Sequence, residues 1–258
     1  MGWFHKLFLS FTVLFLVFPT IIIFVGSLTD SSVIEFPPKE ITLKWYPIAF
    51  SSEWFLKGLI NSLIAAGFCT LLSIPVGILT SYGLLRYRIR ARNVIQVYLL
   101  LPFTVPLVVQ GVSLLFVYAR TGLVGNILGV GFALMEINLP FMIWSVTSSV
   151  NAMDPNLENA AKSLGAEEIQ TFFYVTIPAL MPGILSGSLL MFILGLNEFV
   201  TSLILVTLDI ATLPVLLYTQ IKTVISPTAA AVSIIYSLIA VAAVFFLDKM
   251  IGLKNYLR

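Results

Sequence analysis

Residues 7–28 contain no charged side chain, and five further stretches, roughly 61–85, 94–118, 131–150, 183–207 and 229–247, carry at most one each. A bilayer core about 30 Å thick is crossed by about 20 apolar residues in an α-helix. In lipid such a segment must satisfy every backbone N–H and C=O internally, so the expected fold is all-α, a polytopic membrane protein with six transmembrane helices. Composition agrees: 59% hydrophobic residues, a mean hydropathy of +1.03 and 10% charged residues exclude a soluble globule. The first stretch is too long for the apolar part of a secretory signal and is read as a retained helix. Residues 1–58 then hold the first helix and an external polar segment. Residues 59–258 form a core of five helices around a polar loop, 151–182.

Six spans put both termini on one side. If that side is cytoplasmic, Lys6, Arg86, Arg88, Arg90, Arg92, Lys162, Lys249, Lys254 and Arg258 lie inside, nine against the five outside, Lys39, Lys44, Lys57, Arg120 and Lys222. Positive residues favour the cytoplasm, so the sequence predicts inner-membrane placement with both termini and the 151–182 loop inside. The RYRIRAR run is read as a topology determinant. Trp45, Tyr46, Phe50, Trp54 and Phe55 suit the opposite interface. Pro102 and Pro106 are expected to bend the third span.

The 151–182 loop has its own helix punctuation. Asp154 is an N-cap, Pro155 fits the first helical position and Gly165 closes the helix in a left-handed C-cap. Between them Leu157, Ala160, Ala161 and Leu164 recur at i, i+3, i+4 and i+7, which places one small-residue apolar stripe on a short rod. Asn156, Glu158, Asn159, Lys162 and Ser163 occupy the remainder. A helix of about ten residues is marginal alone and must dock on something. A second short helix is expected over 167–177, after which Pro178 and Pro182 break the chain before it re-enters the membrane.

This loop resembles the cytoplasmic loop of the integral membrane subunits of binding-protein-dependent ABC importers. That signature is E-A-A, three residues, Gly, nine residues, then I-x-L-P. Ala160, Ala161 and Gly165 fall on its small-residue positions, and Val175, Ile177 and Pro178 on its closing positions. Asn159 stands at the glutamate position, with Glu158 one residue earlier. Near the chain's full length, including NEFVTSLIL, TLPVLLYTQI and ISPTAAAVS, the pattern is similar to the spermidine/putrescine permease subfamily.

The resemblance implies a permease whose coupling helix, with Asp154, Leu157, Glu158, Asn159, Ala160, Ala161, Leu164, Gly165 and Pro178, engages a separate ATPase. It also implies two ATP-binding subunits, a second permease chain, usually a different one, an external solute-binding protein and a small-molecule substrate. ATP and Mg would be bound by the ATPase subunits, and no cofactor is expected in this chain.

The residue inventory supports transport over catalysis. His5 is the sole histidine, which removes an intramembrane Ser/His pair and a zinc H-E-x-x-H motif. No G-x-x-x-x-G-K-[ST] phosphate loop is present. Cys69 alone makes no disulfide framework, and no basic cluster points to nucleic acid. A self-contained secondary transporter would show several intramembrane charges and paired interrupted helices.

The carboxylate deepest in a span is expected to be Glu198. Burial there is costly, so it should face the bundle interior, water or a partner. Asn197, Glu198 and Thr201 are the substrate-path candidates, with a tie between Glu198 and a neighbouring subunit as the equal alternative. Gln110, Glu136 and Asn138 are expected to make local structural hydrogen bonds, the last two at the outer entrance of the fourth span. An amine-bearing solute such as a polyamine suits Glu198; phosphonate, thiamine, iron and oxyanions are the alternatives.

Overall fold

The computed structural model describes residues 3–251. Lys254 and Arg258, two cations of the orientation argument, lie outside them. In chain order the α-helices are α1 (Trp3–Ser27), α2 (Trp45–Ser51), α3 (Glu53–Arg86), α4 (Arg92–Leu99), α5 (Leu107–Thr121) and α6 (Ile127–Ala152). There follow α7 (Asn156–Ser163), α8 (Glu168–Thr171), α9 (Ile177–Asn197), α10 (Val200–Leu205), α11 (Leu213–Thr223) and α12 (Pro227–Ile251). Among the described residues, extended pairing is confined to an isolated antiparallel bridge between Thr29 and Ile41.

Five helices, α1, α3, α6, α12 and the continuous run Glu168–Asn197, are long and apolar enough to cross a membrane. The sixth expected span is not one helix. α4 and the 3-10 turn Leu101–Phe103 meet α5 at 99°. Pro102 and Pro106 remove backbone donors, and Pro106 is extended (ψ 136°), so the prolines make a corner rather than a bend. Gln110 stitches that corner: its Nε2 donates to Pro102 O (2.6 Å) and Val105 O (2.7 Å).

The chain forms two compact units, one of residues up to Leu59 with Thr212–Ala242, the other of Ile60–Ala211 with the residues from Ala243 on. In the first, α1 is apolar on every side and exposed up to its last turn, where Gly26 and Ser27 are buried. The segment after it is ordered by aromatic anchors, as Trp45 Nε1 donates to Thr29 O (2.6 Å) and Ser27 Oγ bonds Tyr46 Oη (2.8 Å).

The second unit is built on α6 and α9. In lipid there is little hydrophobic gain from pairing helices, so small residues that permit close approach decide which faces meet. Leu180, Gly183, Ile184, Gly187, Met191 and Gly195 form the buried face of α9. A Cβ at Gly183 would lie 2.5 Å from Ser149 Oγ and 2.6 Å from Ser145 O, and one at Gly195 would meet Ala66 of α3. Ser145 Oγ donates across the seam to Gly183 O (2.9 Å). The Gly183-to-Gly187 spacing is therefore packing within the subunit. Gly183→Leu is expected to lower the thermal unfolding midpoint in detergent, since overpacking costs about 1–3 kcal/mol. Gly67→Ala, where a Cβ meets nothing within 4 Å, is the matched control and should leave the midpoint unchanged.

Pro178 and Pro182 do not break the chain. The run from Glu168 to Asn197 stays helical because a π-turn, Phe172–Thr176, precedes Pro178. Ile177 N–H reaches Phe172 O, and the widened turn accommodates the proline that leaves Tyr174 O without its usual donor. The fifth span thus begins well before the expected residue 183, and it stops at Asn197 rather than continuing to 207.

Candidate functional site

The 151–182 segment is organised by its caps. Asp154 Oδ1 accepts from Asn156 N (2.9 Å) and Asp154 O from Leu157 N (3.2 Å), and Pro155 itself holds the N-cap position, so α7 starts at Asn156, one residue later than the sequence places it. At the other end Gly165 has φ 90°, where a side chain would be strained. Gly165 N donates to Lys162 O (3.0 Å) and Ala166 N to Ala161 O (3.1 Å), the paired bonds of a Schellman close. The next helix, α8, starts with a capping box between Glu167 and Gln170. It runs on into α9, so the separate second helix expected over 167–177 is the opening stretch, nearly three turns, of the fifth long helix.

The two faces of α7 have different fates. Leu157 is 49% exposed and Leu164 90%; Ala160 is exposed and Ala161 half-buried. Asn159 is exposed too, its carbonyl accepting from Ser163 Oγ (2.9 Å). The apolar stripe is open along most of its length. Glu158, by contrast, turns inward with its side chain 13% exposed. Tyr82 Oη (3.1 Å) and Thr176 Oγ1 (2.8 Å) both donate to its Oε1, and Arg86 Nε lies 3.6 Å from its Oε2. Tyr82 also packs edge-on against Phe172 (5.4 Å between ring centroids). One carboxylate therefore ties α7 to the end of α3 and to the π-turn that leads into α9.

Tyr82, Arg86 and Thr176 carry no sequence signal for this role. Arg86 reads as one of four equivalent arginines, yet Arg88 and Arg90 are exposed while Arg86 is the last residue of α3 and turns toward Glu158. A cleft of about 310 Å³ beside this junction is lined by Tyr82, Glu158, Lys162, Ile169 and Phe173 among others.

The expected substrate-path residues do not form one surface. Asn197 is exposed at the end of α9, its Nδ2 donating to Ile193 O (2.9 Å). Glu198 occupies a break between helices, not the interior of one. Its Oε1 accepts from Thr201 N (2.9 Å) and its Oε2 from Ser202 N (3.0 Å), so both oxygens cap α10. Thr201 is fully buried and lies against Gly111 of α5, 3.5 Å from where a Cβ would stand, so it packs inside its own subunit instead of lining an open path. Among the described residues the carboxylate well inside a long apolar helix is Glu136, the tenth residue of α6. At about 1.5 Å per residue it lies roughly 14 Å from the helix start, deep in the span and not at its entrance.

The sequence pattern described as "Binding-protein-dependent transport system inner membrane component" matches residues 73–251, which include the whole capped segment. The chain is 29% identical over 217 residues to the spermidine/putrescine transport system permease protein PotC of Haemophilus influenzae, covering 84% of each. It is 26% identical over 189 residues to the molybdate/tungstate transport system permease protein WtpB of Pyrococcus abyssi, covering 73% of this chain and 71% of the relative. Among solved structures it resembles a chain of a bacterial alginate ABC transporter in complex with an alginate-pentasaccharide-bound periplasmic protein. There the TM-score is 0.75 at 17% identity, with 96% of this chain and 93% of that one aligned. With the pattern spanning most of the chain, this protein belongs to the binding-protein-dependent transport system inner membrane components, as a permease subunit of an ABC importer.

Proposed function

We propose that this subunit forms half of the path by which an ATP-driven importer brings small amine-bearing solutes, polyamines among them, across the inner membrane. The observation that carries the reading is α7, a capped rod held from behind by Glu158 with its Leu157, Ala160 and Leu164 stripe open. Such a rod suits the groove of an ATP-binding subunit, which binds ATP and Mg and whose closure pushes α7 toward α3 and α9. Alternating access then follows as an interconversion of two packed states biased by ATP. On this reading both termini and the 151–182 segment are cytoplasmic, a placement that the surplus of positive residues supports. Trp144, 69% exposed in the middle of α6 beside a groove of about 480 Å³, supplies a face for a second permease chain. Asn197 and the Glu198 cap belong to the wall of the path, and Thr201 supports it from within.

The amine reading draws on the Haemophilus relative; the Pyrococcus relative makes oxyanions the second reading. The test is reconstitution of this chain with its ATP-binding subunits, second permease and external binding protein in proteoliposomes. Expected are co-purification of an ATPase and ATP-dependent accumulation of radiolabelled spermidine but not molybdate. Purification without an ATPase would overturn the importer assignment, and accumulation of molybdate alone would overturn the amine reading.

A further inference from the structure

We infer that Glu136 is the amine-contacting carboxylate of the solute path, in a groove made by the broken third span against α6. Its neighbours in sequence, Met135, Ile137 and Asn138, are buried, whereas Glu136 is exposed. Asn138 makes the local bond expected of it, Nδ2 to Leu134 O (2.9 Å), and Gln110 makes its own; among the described residues Glu136 makes no hydrogen bond. An ionised side chain at this depth costs at least about 2.5 kcal/mol unless it faces water or a counter-charge. The groove offers space for water or a solute beside it: two adjoining hollows of about 270 and 330 Å³ share Pro102, Val105, Gln110 and Glu136.

The chemistry of the lining selects the ligand. Both Nε2 hydrogens of Gln110 are spent on Pro102 O and Val105 O, which leaves its Oε1 as an acceptor. The Ser113 hydroxyl donates to Val109 O (2.8 Å), leaving its lone pairs. Tyr98 adds an aromatic face of the kind that attracts cations. No lysine or arginine is among the described lining residues. The start of α5 contributes about half a positive charge, less than the full unit on Glu136. The groove therefore offers one negative charge and several acceptors, which suits a protonated primary or secondary amine and disfavours an oxyanion.

This inference rests on the amine reading above, and the experiment separates the two. In the reconstituted importer, wild type is first assayed with spermidine, then Glu136→Gln and Glu136→Asp. Expected are at least a tenfold loss of uptake for Glu136→Gln at saturating loaded binding protein, partial recovery in Glu136→Asp, and an intact complex in both. Wild-type accumulation with undiminished uptake by Glu136→Gln overturns the Glu136 assignment alone; no wild-type accumulation overturns the amine reading and this inference with it. A complex that falls apart in Glu136→Gln assigns the carboxylate to subunit contact and also overturns the inference. In parallel, Glu136→Cys in the assembled importer should react with a water-soluble cationic thiosulfonate, and spermidine should slow that reaction severalfold. Cys69, the chain's one native thiol, is buried and gives no background. Failure of Glu136→Cys to react would place the side chain away from water and sink the proposal.

Discussion

Ala160→Glu is expected to abolish solute-stimulated ATP hydrolysis while leaving the subunit inserted and folded. Ala160 lies on the open side of α7, so a glutamate there disturbs no contact within the subunit. On the docking proposed above, the same position is pressed into the ATPase groove. An unpaired carboxylate trapped in such an interface costs several kcal/mol, and every 1.4 kcal/mol is tenfold in affinity. Loss of roughly a hundredfold or more in ATPase association is the expected scale. Pull-down of the ATP-binding subunit and hydrolysis stimulated by loaded binding protein measure it. Ser163→Ala, which removes only a bond to Asn159 O on the same helix, should change neither. Full stimulation in Ala160→Glu would mean that α7 is not the docking element.

Glu158→Ala is expected to act differently, by detaching a docked α7 from the spans it drives. The substitution removes the acceptor for Tyr82 and Thr176 and leaves Arg86 uncompensated, with its Nε and Nη2 buried. Bonds to a charged group contribute about 1.5–3 kcal/mol each. The 3.6 Å contact to Arg86 adds less than a close, fully buried pair would. The ATPase should still bind and hydrolyse, because the stripe is untouched. Uptake per ATP should fall by roughly tenfold, the effect of about 1.4 kcal/mol on the coupling equilibrium. A double-mutant cycle with Tyr82→Phe should be non-additive, since both changes break one network. Equal solute imported per ATP in Glu158→Ala and wild type would show that the tie does not transmit the stroke.

The glutamate of the family pattern falls on Asn159, and the tertiary structure gives that displacement a physical outcome. On a helix of 3.6 residues per turn, neighbouring positions point about 100° apart. Glu158 therefore faces α3 and the π-turn, while Asn159 faces outward. The family resemblance implies ATPase contact for both. One of them instead works backward into its own subunit.

The bounds of α7, its left-handed close at Gly165 and its apolar stripe are all legible in the sequence. Caps and i, i+3, i+4 spacing are local rules that need no knowledge of what surrounds the helix. The number and placement of apolar segments are legible for the same reason, because a bilayer imposes length and hydropathy on each segment separately. What tertiary structure decided are the relations between distant residues. The bonds of Glu158 join partners 76 and 18 positions away. The 99° corner at Pro102 and Pro106 depends on Gln110 satisfying the freed carbonyls. The sequence ranks Glu198 as the deeper carboxylate and sets Glu136 at the entrance of its span, yet the first is consumed capping a short helix and the second is left open in a groove. Hydropathy registers the presence of a charge in a span; only the packing of neighbouring helices determines whether a partner waits for it.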